Sequence, residues 1–372
     1  MPLPSNRAAS LTLLAAMTAL LAIAPPAFAG ESDHPKLDIG IGWSFLHIND
    51  VEFTAVTDFF VTEVLEHQTN HDGELNGYKV TGELSGLMPH RRGDWLASVG
   101  IKGFYSRYED IEDSRCTFTA TTDCVFMPLV DPDPAIIDSS GGFFSDWLTE
   151  TDRSVAYWGA AVELSLTRYA AAASLKDGGG SLKDPPAPAA EPSPFVWKVG
   201  LGGRRLDQKT ELFSEDIGPT LDPVTLSDDL DTTYYGGYIG FTSVKTVGGD
   251  FRLRLSAETG LYYANTEYQG AYTATANLGA DQPVAESIEL DESRAAFIGL
   301  LNLSLEREVG PATVALFGEA EWISYAPKVL YNNMDRAGGF PFDISGSQDG
   351  TELGGGSALS YTVGAKVSMP LR

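Results

Sequence analysis

Apolar and polar residues alternate at both ends of this chain. Over residues 359–371 the odd positions are apolar or aromatic and the even positions are small or polar, and Leu37 to Phe45 repeat the pattern. Successive strand residues point to opposite faces of a sheet, so each segment is a strand with one apolar and one polar face. A chain that begins and ends on such strands is typical of a closed barrel whose outer wall faces lipid.

The same alternation predicts ten strands. They fall near 36–48, 75–88, 94–108, 154–169, 195–206, 232–244, 250–266, 293–306, 312–325 and 357–371. The connections alternate between short turns (Pro89–Gly93, Lys245–Gly249, Arg307–Pro311) and long loops (49–74, 109–153, 207–231, 267–292, 326–356). We therefore predict an all-β fold, an antiparallel transmembrane β-barrel of about ten strands, with short periplasmic turns and long extracellular loops.

Aromatic residues fall near the ends of these predicted strands. Those at the long-loop ends are Trp43, Phe45, Tyr105, Trp158, Tyr235, Tyr263, Phe297, Trp322 and Tyr361, and those at the short-turn ends are Trp95, Phe195, Trp197 and Phe251. Tyrosine and tryptophan prefer membrane–water interfaces, so the pattern predicts two aromatic girdles.

The chain divides into a leader and one barrel domain. Residues 1–29 have a basic start at Arg7, an apolar stretch and a small-x-small site at Ala27–Ala29, which predicts a cleaved signal peptide. Residues 30–372 are predicted to form the barrel. Within it, 170–194 is rich in Ala, Gly and Pro where a short turn is expected, and is interpreted as a flexible periplasmic insertion.

With these features the chain resembles the porin-like outer-membrane β-barrel proteins of Gram-negative bacteria. The resemblance covers nearly the whole mature chain and implies an outer-membrane location, with outer-membrane lipid, lipopolysaccharide and the barrel assembly machinery as partners. Members of this class usually end on an aromatic residue that aids recognition by that machinery, whereas this chain ends Met369-Pro370-Leu371-Arg372.

The acidity of the chain is concentrated in the predicted loops. With the second loop closed at Asp152, the five long loops contain 36 of the 51 acidic residues, and their only bases are Arg115, Lys209, Lys328 and Arg336. This distribution excludes nucleic acid as a partner, because a phosphate backbone needs a basic surface. Acidic loops would attract cations, including divalent cations, or would simply keep the surface solvated.

The predicted inner face carries charges of both signs. They are Lys79, Glu83, Lys102, Glu163, Lys198, Arg204, Arg252, Arg254, Glu258, Glu306, Glu319, Glu321 and Lys366. Such residues would be costly on the lipid side, which supports their inward placement. In a narrow ten-stranded barrel they could either pair into a plug or line a thin aqueous path.

Cys116 and Cys124 lie eight positions apart in an acidic stretch without histidine. In an exported chain this spacing favours a disulfide that pins a loop over a metal pair.

Few residues suggest catalysis or metal binding. His67 and His71 could share a metal only if their segment were helical, and chance composition is the simpler interpretation. The ten-strand count is similar to that of the omptin surface proteases, for which His47 with Asp50 is the only comparable pairing, and no omptin catalytic residue is carried over. We predict no enzyme activity, no metal and no cofactor.

The function predicted from the sequence is passive, porin-like passage of small solutes with a preference for cations. A non-conducting surface barrel, acting as an adhesin or a structural protein, is the first alternative. An omptin-like hydrolase is the second.

Overall fold

The computed structural model describes residues 35–58, 61–71, 73–92, 95–116, 122–126, 147–169, 192–216, 224–248, 251–276, 282–330 and 351–371. The predicted leader and most of the predicted insertion at 170–194 lie outside these ranges. In the described part of the chain, no helix has the length and apolar character needed to cross a membrane.

The described residues form thirteen strands. They are β1 (Lys36–His47), β2 (Val51–Asp58), β3 (Val61–His71), β4 (Glu74–Arg92), β5 (Trp95–Cys116), β6 (Thr122–Phe126), β7 (Trp147–Tyr169), β8 (Pro192–Asp216), β9 (Val224–Gly248), β10 (Phe251–Ala276), β11 (Gln282–Val309), β12 (Ala312–Leu330) and β13 (Glu352–Pro370).

Ten of these strands close into a barrel. The order around it is β1-β13-β12-β11-β10-β9-β8-β7-β5-β4, with antiparallel pairing throughout. The barrel closes where β1 pairs with β13 over its whole length, from Lys36 opposite Pro370 to His47 opposite Leu359. The predicted all-β class, antiparallel closure and strand count are confirmed. Closure leaves no exposed sheet edge in the barrel.

The strands run much farther toward the long-loop side than predicted. The ranges 207–231 and 267–292 were predicted as loops, but β8 extends to Asp216, β9 begins at Val224 and β10 extends to Ala276. In β10 the polarity of the two faces inverts: Leu255 and Leu261 face outward beside inward Glu258, whereas farther along Glu267 faces outward beside buried Tyr268. No single face of the strand is apolar on both sides of the inversion, so the predicted strands end there.

The inversion has a simple physical cause. Where lipid surrounds the barrel, the apolar face lies outside and polar side chains face the lumen. Where water surrounds it, the apolar face turns inward and forms an ordinary core. The strands therefore continue beyond the membrane as a water-exposed extension of the barrel, which we call the extension.

The predicted loops also contain a second sheet. Strands β3, β2 and β6 pair in that order, apart from the barrel. His67 and His71 lie in β3, an irregular strand, so the helical segment that a shared metal would require is absent there. The side chains of this sheet lie outside the described part of the structure.

The short turns are at the predicted places and are tighter than predicted. β11 ends at Val309 and β12 begins at Ala312, with Gly310 at φ 62° in the turn. Positive φ favours glycine, which has no Cβ to clash with the backbone. In β4 the register shifts twice between Leu84 and His90, and Met88 has φ 49°.

Candidate functional site

Two levels of exposed aromatic side chains define the membrane-facing band. Trp43, Tyr235 and Tyr263 face outward at the level nearer the long loops, which we call the upper level. Trp197 and Phe251 face outward at the level nearer the short turns, the lower level. The twelve residue-to-residue steps from Phe251 to Tyr263 rise about 40 Å along the strand, or about 30 Å along the barrel axis for strands tilted near 40°. This matches a bilayer core. Apart from Trp43 and Phe45, which lie close to the end of β1 at His47, the upper aromatics lie in the middle of their strands, so their predicted placement near strand ends is wrong.

All thirteen charged side chains predicted to face the lumen lie on inward positions of their strands, where most of them form ion pairs with one another. We call these thirteen residues the charge layer: Lys79, Glu83, Lys102, Glu163, Lys198, Arg204, Arg252, Arg254, Glu258, Glu306, Glu319, Glu321 and Lys366. It lies within the membrane-facing band, because Glu258 is located between Phe251 and Tyr263 on β10. The sequence left open whether these charges pair or line a water path.

The centre of the charge layer is a chain of alternating charges. The Lys102 ammonium lies 2.6 Å from Glu258 and 3.4 Å from Glu163. Glu163 is also 2.8 Å from Lys198, which lies 3.6 Å from Glu83. The Tyr238 hydroxyl donates to Glu163 at 2.9 Å. Each buried charge therefore has an opposite charge or a hydrogen bond, as burial in a low dielectric requires.

A second group joins the charge layer to the level above it. Lys79 pairs with Glu319 at 2.6 Å and with Glu321 at 3.3 Å, and Arg204 pairs with Glu321 across the lumen. The Tyr157 hydroxyl accepts from Arg204 at 2.7 Å and donates to Glu321 at 2.6 Å. The side chains of Lys79 and Glu321 are only 3% and 2% exposed, so this upper part of the charge layer excludes water.

The charge layer loosens toward the short-turn end. Arg252 and Arg254 both pair with Glu306, and their side chains are 35% and 36% exposed. Lys366 forms no ion pair with any described residue. The lumen is therefore wetter at this end than at Glu321.

Apolar side chains fill the lumen at the level of the upper aromatic residues. We call them the plug: Leu46, Ile48, Leu75, Tyr108, Val155, Tyr157, Leu206, Tyr234, Tyr262, Ala264, Ala296, Ile298, Ile323, Tyr325, Ala326 and Ala358. Tyr234 and Val155 are completely buried, and the Tyr234 hydroxyl donates to the Tyr325 carbonyl oxygen at 2.9 Å. All sixteen side chains are at most 5% exposed, so they pack against one another rather than against water.

Below the plug the lumen contains a cavity of about 150 Å³. Its walls include Glu321 and Tyr262 near the plug, and Asp38, Glu83 and Lys366 near the short turns. Exposure increases from Glu321 to Glu83, whose side chain is 29% exposed. The cavity is therefore closed at the plug and accessible from the short-turn end.

The interior of the extension is packed as well. Arg153 donates to the Asn49 carbonyl oxygen at 2.8 Å, and Gln208 donates to that of Pro327 at 3.1 Å. The Tyr268 hydroxyl donates to buried Asp228 at 2.7 Å. Burial raises the pKa of Asp228 to about 7, with the nearby Asp229 carboxylate adding to the effect, while the Tyr268 hydrogen bond opposes it.

The outer surface of the extension carries four carboxylates in one row across adjacent strands. Asp207 on β8 lies opposite Asp231 on β9, Asp231 opposite Glu267 on β10, and Glu267 opposite Asp291 on β11. Arg205 pairs with both Asp207 and Asp231. Partial burial and the hydrogen bond with Asp231 raise the pKa of Asp207 to about 6. We call these four residues the acidic row.

The other candidate chemical groups do not assemble into a site. His47 lies exposed on the outer surface, and Asp50 accepts a 2.8 Å hydrogen bond from the Gly73 amide. Among the described residues, no three His, Cys, Asp or Glu side chains are placed to hold a metal ion. Cys116 ends β5 and Cys124 lies in β6, but their side chains lie outside the described structure, so the disulfide stays a prediction.

Sequence reasoning missed the tyrosines that close the lumen. Tyr108, Tyr157, Tyr234 and Tyr262 all occupy inward positions. Each of the last three lies next to an outward residue of the upper aromatic level. Their neighbours Tyr235 and Tyr263 were assigned to a girdle, so a consecutive Tyr-Tyr pair was the available signal. One ring of each pair must face the lumen because side chains alternate.

The chain was compared with family models, with curated proteins and with solved structures. Neither a family model nor a curated protein matches the chain. Among solved structures it is similar to the outer-membrane protease OmpT from Escherichia coli, at 9% identity and a TM-score of 0.35, with 93% of this chain and 99% of that chain covered. It is also similar to the NalP translocator domain from Neisseria meningitidis, at 11% identity and a TM-score of 0.32, covering 98% and 97%.

A Pseudomonas aeruginosa FadL homologue is similar at 8% identity and a TM-score of 0.23, with 91% of each chain covered. All three are outer-membrane β-barrel proteins.

Proposed function

We propose that this protein is an outer-membrane barrel that does not conduct in its resting state and acts at the cell surface through its acidic extension. The observation that carries the proposal is the plug, which fills the lumen above a charge layer whose members are largely paired. A porin needs a continuous column of water, with groups that bind ions weakly enough to release them. Tightly paired charges beneath an apolar layer interrupt such a water column, and they bind one another rather than passing ions.

The outer-membrane location is supported by the surface of the barrel. Large apolar side chains face outward in the band between the two aromatic levels, including Val199, Leu201 and Leu301. Charged residues in that band face inward. A soluble protein would expose this surface to water at a large hydrophobic penalty.

Planar bilayer recording tests the closed lumen. We expect the refolded wild type to give no conductance steps above baseline, since the plug excludes water. The double variant Tyr234→Ala/Leu206→Ala removes two plug side chains and is expected to produce steps. Leu303→Ala, on the lipid face, is the matched control and should stay silent. Regular steps from the wild type would overturn the proposal and restore passive, cation-preferring passage.

That second candidate, porin-like passage, has one observation in its favour. The cavity below the plug is lined in part by the charge layer and is accessible from the short-turn end, so the plug is the main barrier to water. Passage would require the plug side chains to move apart. Conductance that appears in the wild type only above a threshold voltage would support this candidate.

The acidic row supports a proposal for what the surface binds. Like charges directly opposite each other on neighbouring strands are destabilising unless a counter-ion is present. Arg205 supplies only part of the compensation. We therefore propose that divalent cations, which also bridge lipopolysaccharide phosphates, associate with this face of the extension.

Thermal unfolding with and without calcium tests this association. We expect calcium to raise the Tm of the wild type, and to raise that of Asp231→Asn/Glu267→Gln less. Glu109→Gln removes an exposed carboxylate that is already paired with Arg107, so it should leave the calcium effect unchanged. Equal calcium effects in all three proteins would contradict a role for the acidic row.

The predicted disulfide would hold a surface loop in place, and that loop could contact larger partners such as host, phage or matrix molecules. If Cys116 and Cys124 pin a loop that contacts such a partner, reduction should weaken binding without unfolding the barrel. Binding that is unchanged after reduction would separate the cysteines from the surface role.

A further inference from the structure

The outer surface at the short-turn end carries arginines beside exposed aromatic rings. Arg92 on β4 lies opposite Trp95 on β5, and Trp95 lies opposite Arg168 on β7. The Arg168 guanidinium is 5.9 Å from the centroid of the Trp95 ring. All three side chains are exposed. We call them the arginine–tryptophan row.

A second set repeats this arrangement on another part of the same rim. Arg307 on β11 lies opposite Phe251 on β10, with its guanidinium 5.4 Å from the ring centroid. Lys245 on β9 lies opposite Leu253, two residues farther along β10. Both sets therefore place cations against rings at the lower aromatic level.

The cations at the two rims differ in their partners. At the upper rim, the outward-facing Arg107, Arg205 and Lys209 all pair with carboxylates. At the short-turn rim, Arg92, Arg168, Lys245 and Arg307 form no ion pair with any residue that the structure describes. Among the described residues, these four cations thus leave positive charge that no ion pair balances, at the level where lipid headgroups begin.

This combination suits a phosphate group held at a membrane surface. Aromatic rings of this kind lie at headgroup level. A guanidinium presents a planar fork of donors that matches two phosphate oxygens, and a ring beneath it orients that fork. Bases near an anionic leaflet each add about 1 kcal/mol of attraction, or about fivefold in affinity.

We propose that the arginine–tryptophan row, together with Arg307 and Lys245, binds the phosphate of anionic phospholipids in the periplasmic leaflet. The inference rests on the proposed outer-membrane location with short turns in the periplasm. Net negative lipids are favoured over zwitterionic ones because no carboxylate at this rim among the described residues neutralises these cations. Lipopolysaccharide, in the opposite leaflet, does not reach them.

The test compares lipid preference around the refolded protein. Vesicles of phosphatidylcholine containing brominated phosphatidylglycerol, or brominated phosphatidylcholine, quench tryptophans at the protein surface. The ratio of the two quenching efficiencies gives the preference for the anionic lipid. We expect the wild type to prefer phosphatidylglycerol severalfold, and about 1 M KCl, where the Debye length is about 3 Å, to reduce that preference.

The decisive variant is Arg92→Gln/Arg168→Gln, which should lose at least half of the preference. Arg92→Lys/Arg168→Lys keeps the charge and should retain most of it. The matched control Arg107→Gln/Arg205→Gln removes the same charge from the other rim and should behave as the wild type does. An unchanged preference in the first variant, or an equal loss in the control, would overturn the proposal.

Insertion is measured separately in the same vesicles, by protease protection of the barrel. Wild type that inserts but shows no preference would contradict the phosphate site and leave the membrane location intact. Wild type that fails to insert would contradict the location and this inference together.

Discussion

Lys102 on β5 and Glu258 on β10 meet across the lumen, with the ammonium nitrogen 2.6 Å from both carboxylate oxygens. The two residues come from strands on different sides of the barrel, so their contact depends on the diameter and closure of the whole ring. Their side chains are 21% and 8% exposed. Breaking such a buried pair destabilises the protein. The pair also occupies part of the lumen.

Removing one partner of this pair should destabilise the barrel. Because Glu258→Gln leaves Lys102 with less compensation in a poorly solvated site, we expect a loss of about 2–4 kcal/mol in the free energy of unfolding. Replacing both residues with apolar ones, Lys102→Met/Glu258→Leu, should recover much of it. Urea titration in vesicles measures both. Arg107→Gln, at an exposed pair, should change stability by less than about 1 kcal/mol.

The inversion of polarity along β10 predicts where an arginine is tolerated. Leu261 faces outward in the membrane-facing band and is 71% exposed. Leu261→Arg should therefore destabilise the protein by about 2–3 kcal/mol. Ala271→Arg lies on the same strand and the same face, ten residues farther into the extension, and should be nearly neutral. Comparable losses at the two positions would place Ala271 in lipid and contradict the extension.

The barrel closure depends on a close approach of two glycines. Gly42 on β1 and Gly364 on β13 are opposite each other, and a Cβ on Gly364 would lie 2.2 Å from the Ile41 carbonyl oxygen. We expect Gly364→Ala to slow folding into vesicles and to lower stability, measured by the fraction that reaches the folded electrophoretic form. Gly318→Ala is the control, because a Cβ there meets nothing within 4 Å. Equal folding yields would contradict a steric requirement at the closure.

Asp228 should make the extension less stable as the pH rises. Its folded pKa of about 7 is above the ordinary value of 3.8, so protonation favours the folded state. The contribution is favourable below about pH 4 and is lost as the pH rises toward 7 and beyond. Asp228→Asn should then stabilise the protein at pH 8 by on the order of 2 kcal/mol and have little effect at pH 4.

Unfolding of the extension as a function of pH, followed by tyrosine fluorescence or proteolysis, measures this effect. Asp113→Asn changes an exposed carboxylate of the extension and serves as the control. A stabilisation by Asp228→Asn that is the same at both pH values would indicate that the carboxylate remains charged throughout.

The predictions from sequence were accurate where lipid imposes one rule on the chain. The alternation in 251–261 and 359–371 is regular, with Thr259 as the exception on the outer face of the first range, because outward residues meet hydrocarbon and inward ones meet the polar lumen. The same rule placed all thirteen charges of the charge layer on inward positions. It failed beyond Tyr263, because water on the outside reverses the preference of each face.

Partner choice within the lumen was not accessible from sequence. Arg204 and Glu321 are separated by more than a hundred residues, and their pairing depends on strand order, tilt and shear acting together. The plug depends on the same geometry, since Tyr157, Leu206, Tyr234 and Ile323 come from four different strands. No local pattern indicates that these side chains converge.

The sequence by itself therefore determined the all-β class, the number of barrel strands, the side to which each wall residue points and the location of the acidity. These properties follow from the two-residue period of a strand and from the penalty for placing charge in lipid. Tertiary structure alone decided that the lumen is closed. Closure depends on the ring diameter relative to the side chains that meet inside it, and that distance exists only once β1 has paired with β13.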